Sequence, residues 1–144
     1  MSYRANPVNA YRETRVKTAG QGQIIVMLYD EALRQIDTAV SELESSRRFD
    51  SVNNAIVKAQ EIVTELMASL DFDQGGQIAQ SLFSLYLYFN GLLRDANMKK
   101  EAEPLKTLRP MLYELRNAWQ QVAGMSGSVQ GGSSSSSAGI NFAG

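Results

Sequence analysis

Apolar residues recur at alternating steps of three and four along four stretches of the chain. Val26, Tyr29, Leu33, Ile36, Val40 and Leu43 form the first row. Val52, Ala55 or Ile56, Ala59, Ile62 or Val63, Leu66 and Leu70 form the second. Ile78, Leu82, Leu85, Phe89, Leu92 and Ala96 make the third, and Leu105, Leu108, Leu112, Leu115, Trp119 and Val122 the fourth. Successive helical residues turn by about 100°, so each row is one stripe along a helix. The pattern predicts helices over 21–45, 50–71, 76–98 and 104–123.

The separators agree with this reading. Ser45-Ser46-Arg47-Arg48-Phe49 divides the first pair, and Asp50 or Ser51 is suited to cap the second helix. Asp71 to Gly76 holds a glycine pair able to reverse the chain, and Pro104 stands where a first-turn proline belongs. Short links between helices of this length favour antiparallel neighbours. The expected fold is therefore all-α, an antiparallel up-down four-helix bundle over 21–123. Pro110 conflicts with it locally, because a proline cannot bond the Lys106 carbonyl; a kink or a late helix start is expected there. Residues 1–20 form a short N-terminal cap segment. Residues 124–144 are mostly Gly and Ser and carry no charge, which predicts a disordered, flexible tail. Its Ile140 and Phe142 allow a docking motif, but the composition favours a plain disordered end.

Composition narrows the chemistry. The chain has 144 residues, enough for one domain with a core of its own. It has no cysteine and no histidine, which removes disulfides, thiolate sites, the commonest general base and the commonest transition-metal ligand. Fourteen Lys+Arg against fifteen Asp+Glu give a formal charge of −1, with no net pull toward nucleic acid or anionic lipid. Arg47-Arg48 is too short for a nucleic-acid patch. The run Ile24 to Tyr29 is far shorter than the roughly 20 residues of a membrane span, and the polar N-terminus lacks a signal-peptide core. A cytoplasmic location without membrane insertion is expected. No phosphate loop, nucleophile elbow or metal-spaced cluster is found. Asp30, Glu31, Asp37, Glu42, Glu61 and Glu65 lie mostly off the apolar stripes, as on a solvated face. No enzyme activity and no cofactor are expected.

The informative feature is apolar material off the stripes. Ile24 and Met27 point nearly opposite the first stripe, with Leu28 at its border. Phe83 and Leu87 stand across from the third stripe with Tyr86 beside them, and Gly91 leaves a shallow gap one turn on. Val57 does likewise on the second helix. Three outcomes are open. Either the core is simply wider than one stripe; or an N-terminal segment carrying Val8, Tyr11 and Val16 folds over the surplus; or a partner's amphipathic helix docks there. The last two are compatible, since a flap can be displaced by a partner.

These residues also carry a family resemblance. Asn9-Ala10-Tyr11 with Val16-Lys17-Thr18-Ala19, then Gln23 to Leu33, then Gly75 to Ala79 with Leu85-Tyr86, Asn90, Leu92-Leu93, Ala96-Asn97, Leu112, Leu115-Arg116 and Ala118-Trp119, resemble the flagellar secretion chaperone family FliS in order and spacing. The resemblance covers most of 6–123. It implies a non-enzymatic chaperone that binds the C-terminal segment of flagellin, prevents premature polymerisation and aids delivery to a flagellar export gate component. It matches Val8 and Tyr11 to the family's cap and export-gate positions, and Ile24, Met27, Leu28 and Tyr29 to its first-helix motif. The helical angles add Phe83, Tyr86, Leu87 and Gly91 as partner-binding residues. Gly20-Gln21 replaces the family's frequent Ser-Pro, and Glu31 stands where Gly is common. The alternative is a helical adaptor or self-associating bundle, and the same outer face would serve a homodimer formed when no client is bound.

Overall fold

A computed structural model describes residues 20–128, with side chains through residue 124. Val8, Tyr11, the proposed flap and the segment 129–144 lie outside the described residues. Four helices follow one another: α1 (Gln21–Glu44), α2 (Phe49–Ala68), α3 (Phe72–Lys99) and α4 (Glu103–Ser128). α1 packs against α2 and α4, and α3 packs against the same two, which closes an antiparallel ring of four. The all-α bundle read from the periodicity is the observed fold. None of the described helices is long and apolar enough to cross a membrane.

The core is built from the inward stripes. Tyr29, Ile36, Val52, Ile56, Phe89, Leu93, Leu105, Leu108 and Leu112 are all but fully removed from water. Each such side chain contributes roughly 1.5–3 kcal/mol relative to exposure, and their sum opposes the entropy of ordering the chain. Across the α1–α4 seam, Arg116 Nε donates to Asp30 Oδ1 at 2.7 Å and Arg109 grips both oxygens of Asp37 at 2.7 and 3.0 Å. Lys106 pairs with Glu44 in the same seam. The three acids stand two turns apart along α1, so the pairs fix how α4 slides on α1. Being exposed, each is worth only about 0.2–1 kcal/mol.

The helix ends show where local chemistry differs from the pattern. α2 begins one residue earlier than expected: its N-cap is Arg48, without a side-chain cap. Asp50 lies inside the first turn, where its carboxylate accepts from the neighbouring Ser51 N–H at 2.8 Å, so neither Asp50 nor Ser51 is the cap. α4 starts at Glu103 and continues through Pro110, which overturns the late start. The proline sits on the exposed side, where water can satisfy the Lys106 carbonyl that it leaves without a helical partner. The helix then runs on to Ser128, past the last apolar periodic residue, Val122, because propagation from a packed helix needs no nucleus. At this same bundle end, α1 and α4 meet so closely that a methyl at Gly22 would stand 3.1 Å from Ala123 Cβ.

α3 begins early and then breaks. Asp71 caps it, its Oδ1 accepting from Gln74 N at 3.0 Å. One turn later Gly76 adopts φ 52°, ψ −123°, which ends that turn and restarts the helix in a new direction. Glycine reaches this backbone without a Cβ penalty. An added Cβ would meet nothing within 4 Å, so any cost of Gly76→Ala is backbone strain alone. That substitution is expected to lower unfolding stability by about 1–3 kcal/mol, measured by urea denaturation.

Candidate partner-binding groove

Helix α3 is rolled relative to its predicted stripe. The inward residues are Ala79, Leu82, Tyr86, Phe89, Leu93 and Ala96, while Ile78 is 49% exposed and Leu85 and Leu92 are only partly buried. At about 100° per residue, the observed inward face is turned by about 50° from the expected one, toward Tyr86 and Leu93. This roll corrects the placement of Tyr86: it lies in the core, not beside the outer groove. Its hydroxyl is 2.7 Å from that of Tyr29, across the bundle from α3 to α1. Trp119 of α4 is buried in the same core. Burial pushes both phenols above the ordinary tyrosine range, Tyr29 the further, and the neighbouring Tyr86 adds to the rise at Tyr29.

Helix α1 corrects three more partner-binding placements, those of Ile24, Leu28 and Tyr29. Ile24 and Leu28 are each 3% exposed, buried with Ile25, Val26 and Tyr29, and Met27 is half-buried. α1 touches α2 on one side and α4 on the other, so its buried arc is wider than one stripe. For α1 the wider-core outcome holds.

On α3 the outer apolar residues remain outside. Phe83 is 36% and Leu87 52% exposed, and Val57 of α2 is 36% exposed. Phe72 meets Phe83 edge to face, ring centres 5.9 Å apart, which steadies Phe83 at the start of the row. Gly91 follows Leu87 on the outer surface, with only Arg94 Nη2 near the position of a Cβ. Two side-chain contacts show which faces of α2 and α3 meet. Asn97 donates to Asn53 at 2.8 Å, and Asn90 Nδ2 approaches Thr64 Oγ1 at 3.5 Å. Val57 shares the α2 side that carries Asn53 and Thr64, and Phe83 shares the α3 side that carries Asn90. The α2–α3 seam is thus a shallow polar-and-apolar groove with Leu87 on its outer lip. Unlike the α1–α4 seam, none of the inter-helix ion pairs found among the described residues crosses it.

Asn53, Thr64, Asn90 and Asn97 were not singled out by the apolar pattern. A polar-pattern reading would have found the two-turn spacing of Asn90 and Asn97. Asn90 carries a further peculiarity: its Oδ1 is buried and has no hydrogen-bond partner. Such an orphan acceptor costs about 1–3 kcal/mol of desolvation.

Reactive chemistry is not assembled elsewhere among the described residues. No group of three His, Cys, Asp or Glu side chains is placed to hold a metal ion. A depression of about 530 Å³ at the loop end is lined by Glu44, Arg47, Lys99, Lys100, Glu103 and Lys106. Three of its four cations have structural partners: Lys106 pairs with Glu44, Lys100 bonds Asn97, and Arg47 lies 4.9 Å over the Phe49 ring while donating to the Leu43 carbonyl. That end looks like loop stabilisation rather than a reaction site.

Comparison with known proteins follows the same lines. Residues 4–126 match the family model described as flagellar protein FliS. The flagellar secretion chaperone FliS of Salmonella typhimurium is 33% identical over 128 residues, covering 84% of this chain and 93% of that protein. The Bacillus subtilis protein of the same name is 30% identical over 116 residues, covering 81% of this chain and 85% of its own length. The Escherichia coli protein is 25% identical over 124 residues, at 83% and 90% coverage. With a four-helix bundle in place and the match spanning nearly all of it, the chain belongs to the FliS family of flagellar proteins.

Proposed function

We propose that this chain is a cytoplasmic flagellar secretion chaperone that holds the C-terminal segment of flagellin along the α2–α3 groove. The observation that supports it most is the exposed row Phe83–Leu87 beside Val57, on a bundle whose other inward positions are filled. An amphipathic segment lays its apolar side into such a groove. Binding it lowers the free concentration of monomer available for filament growth, by mass action. The segment orders as it binds, so a long apolar contact is needed to offset that cost. The near-neutral charge of the chain suits capture by burial rather than by Coulomb attraction. A bound client is then carried to an export gate component, with Val8 and Tyr11 as the residues for that contact or for covering the groove.

The same face would serve self-association in a helical adaptor or in a client-free homodimer. Size-exclusion chromatography with light scattering, with and without a synthetic flagellin C-terminal peptide, separates the readings. A one-to-one complex with the peptide is expected. A stable dimer indifferent to the peptide would sink the chaperone reading.

A further inference from the structure

The α2–α3 seam holds a polar group whose state makes little sense for the bundle alone. Asn90 Oδ1 is shut from water and has no donor, while Nδ2 reaches Thr64 Oγ1 only at 3.5 Å, the weak limit of a hydrogen bond. Seven residues on, Asn97 makes a good bond of 2.8 Å to Asn53 across the same seam, so the helix spacing does not by itself forbid satisfaction. A leucine of similar size at 90 would remove the orphan acceptor altogether. Buried polar groups normally find a partner, and an exception calls for a reason.

The surroundings supply one. Asn90 lies on the α3 side that carries Phe83, one turn beyond the exposed Leu87, and next to Gly91, where the absent side chain leaves the surface low. Its amide turns about a soft sp³–sp² torsion, a turn that gives up only the 3.5 Å approach of Nδ2 to Thr64 Oγ1. We infer that Asn90 is the polar anchor of this groove: it turns its Oδ1 outward to accept a backbone N–H from a bound apolar segment, at a point where that segment is not helical. An interior helical N–H is already used by its own helix, so the donor comes from an extended stretch or a first turn. The bond sets the register of the segment, which apolar contacts alone leave free to slide. The inference rests on the proposed capture of a flagellin segment and adds the residue that positions it.

Calorimetric titration of the full chain with the flagellin C-terminal peptide tests it with three variants. Asn90→Leu is expected to weaken binding about three- to tenfold, the share of one hydrogen bond, while the melting midpoint of the free chain stays level or rises. Asn90→Asp keeps an acceptor oxygen and is expected to stay within about twofold of the parent. Affinity of Asn90→Leu within about twofold of the parent overturns the inference, and so does an Asn90→Asp loss as large as that of the leucine variant. Should Asn90→Leu not fold, Asn90→Ala is judged by the same affinity limits. Leu87→Glu separates the two levels. If Leu87→Glu abolishes binding and Asn90→Leu does not weaken it, the groove stands and the anchor fails; if Leu87→Glu also binds normally, the groove reading fails with it.

Discussion

Above about pH 10 the bundle is expected to lose stability steeply, by up to about 2.7 kcal/mol per pH unit. The cause is the Tyr29–Tyr86 pair. Burial raises both phenols above the ordinary tyrosine range in the folded chain, and Tyr29 far above it. In the unfolded chain each ionises near its ordinary value of about 10. Below that pH both states keep their protons and the pair adds no pH dependence. Above it the unfolded chain releases two protons that the folded chain retains, so rising pH favours unfolding. Each phenol contributes at most about 1.4 kcal/mol per pH unit. The Lys106–Glu44 pair acts in the same direction, since its lysine is also held protonated, but it is solvent-exposed and adds little.

Guanidinium melts across this alkaline range measure the slope, and tyrosinate absorbance shows which phenols ionise. Tyr29 is expected to ionise only as helix is lost, and Tyr86 later than a free tyrosine. Tyr86→Phe should reduce the slope by about half and cost about 1–3 kcal/mol near neutral pH, because the Tyr29 hydroxyl loses its 2.7 Å partner. A Tyr86→Phe slope equal to that of the parent would rule the pair out as its source.

The same tyrosines mark where sequence reading reached its limit. Periodicity with the short links was enough for four helices and their antiparallel order, because those depend on spacing alone. It could not give the roll of α3, since two adjacent arcs of that helix are apolar and only contact with α2 and α4 chooses between them. The choice of Tyr86 over Ile78 for the core follows from its hydrogen bond to Tyr29, a contact between residues far apart in the chain. Likewise Ile24 pointed away from the first stripe and Leu28 stood at its border; contact with α2 on one side and α4 on the other takes both inside. Phe83 and Leu87 were legible because they stand far enough from either arc for a roll of this size not to bury them. Asn90 was legible as a residue of the resemblance, but its unpartnered state was not. An unsatisfied oxygen has no pattern in sequence; it is a property of packing.

Leu87→Glu is expected to leave the bundle folded and to weaken binding of the flagellin peptide by about 30-fold or more, the loss typical of an interface hot spot. Leu87 is 52% exposed, so the substitution removes few internal contacts and should change stability by no more than about 0.5 kcal/mol. In the complex the same position would be covered, and a carboxylate there must either be stripped of water or hold the segment away. Phe83→Glu should weaken binding as well, at a greater cost to the free bundle, because Phe83 is less exposed and packs against Phe72. Tyr113→Glu serves as the control: it is 50% exposed on α4, away from the α2–α3 seam, and should bind like the parent. Circular dichroism establishes that each variant is folded, and calorimetry reads the affinity. Equal affinities for Leu87→Glu and Tyr113→Glu would move the client off this face. A loss confined to the α3 variants would tie capture to the row that the core leaves uncovered.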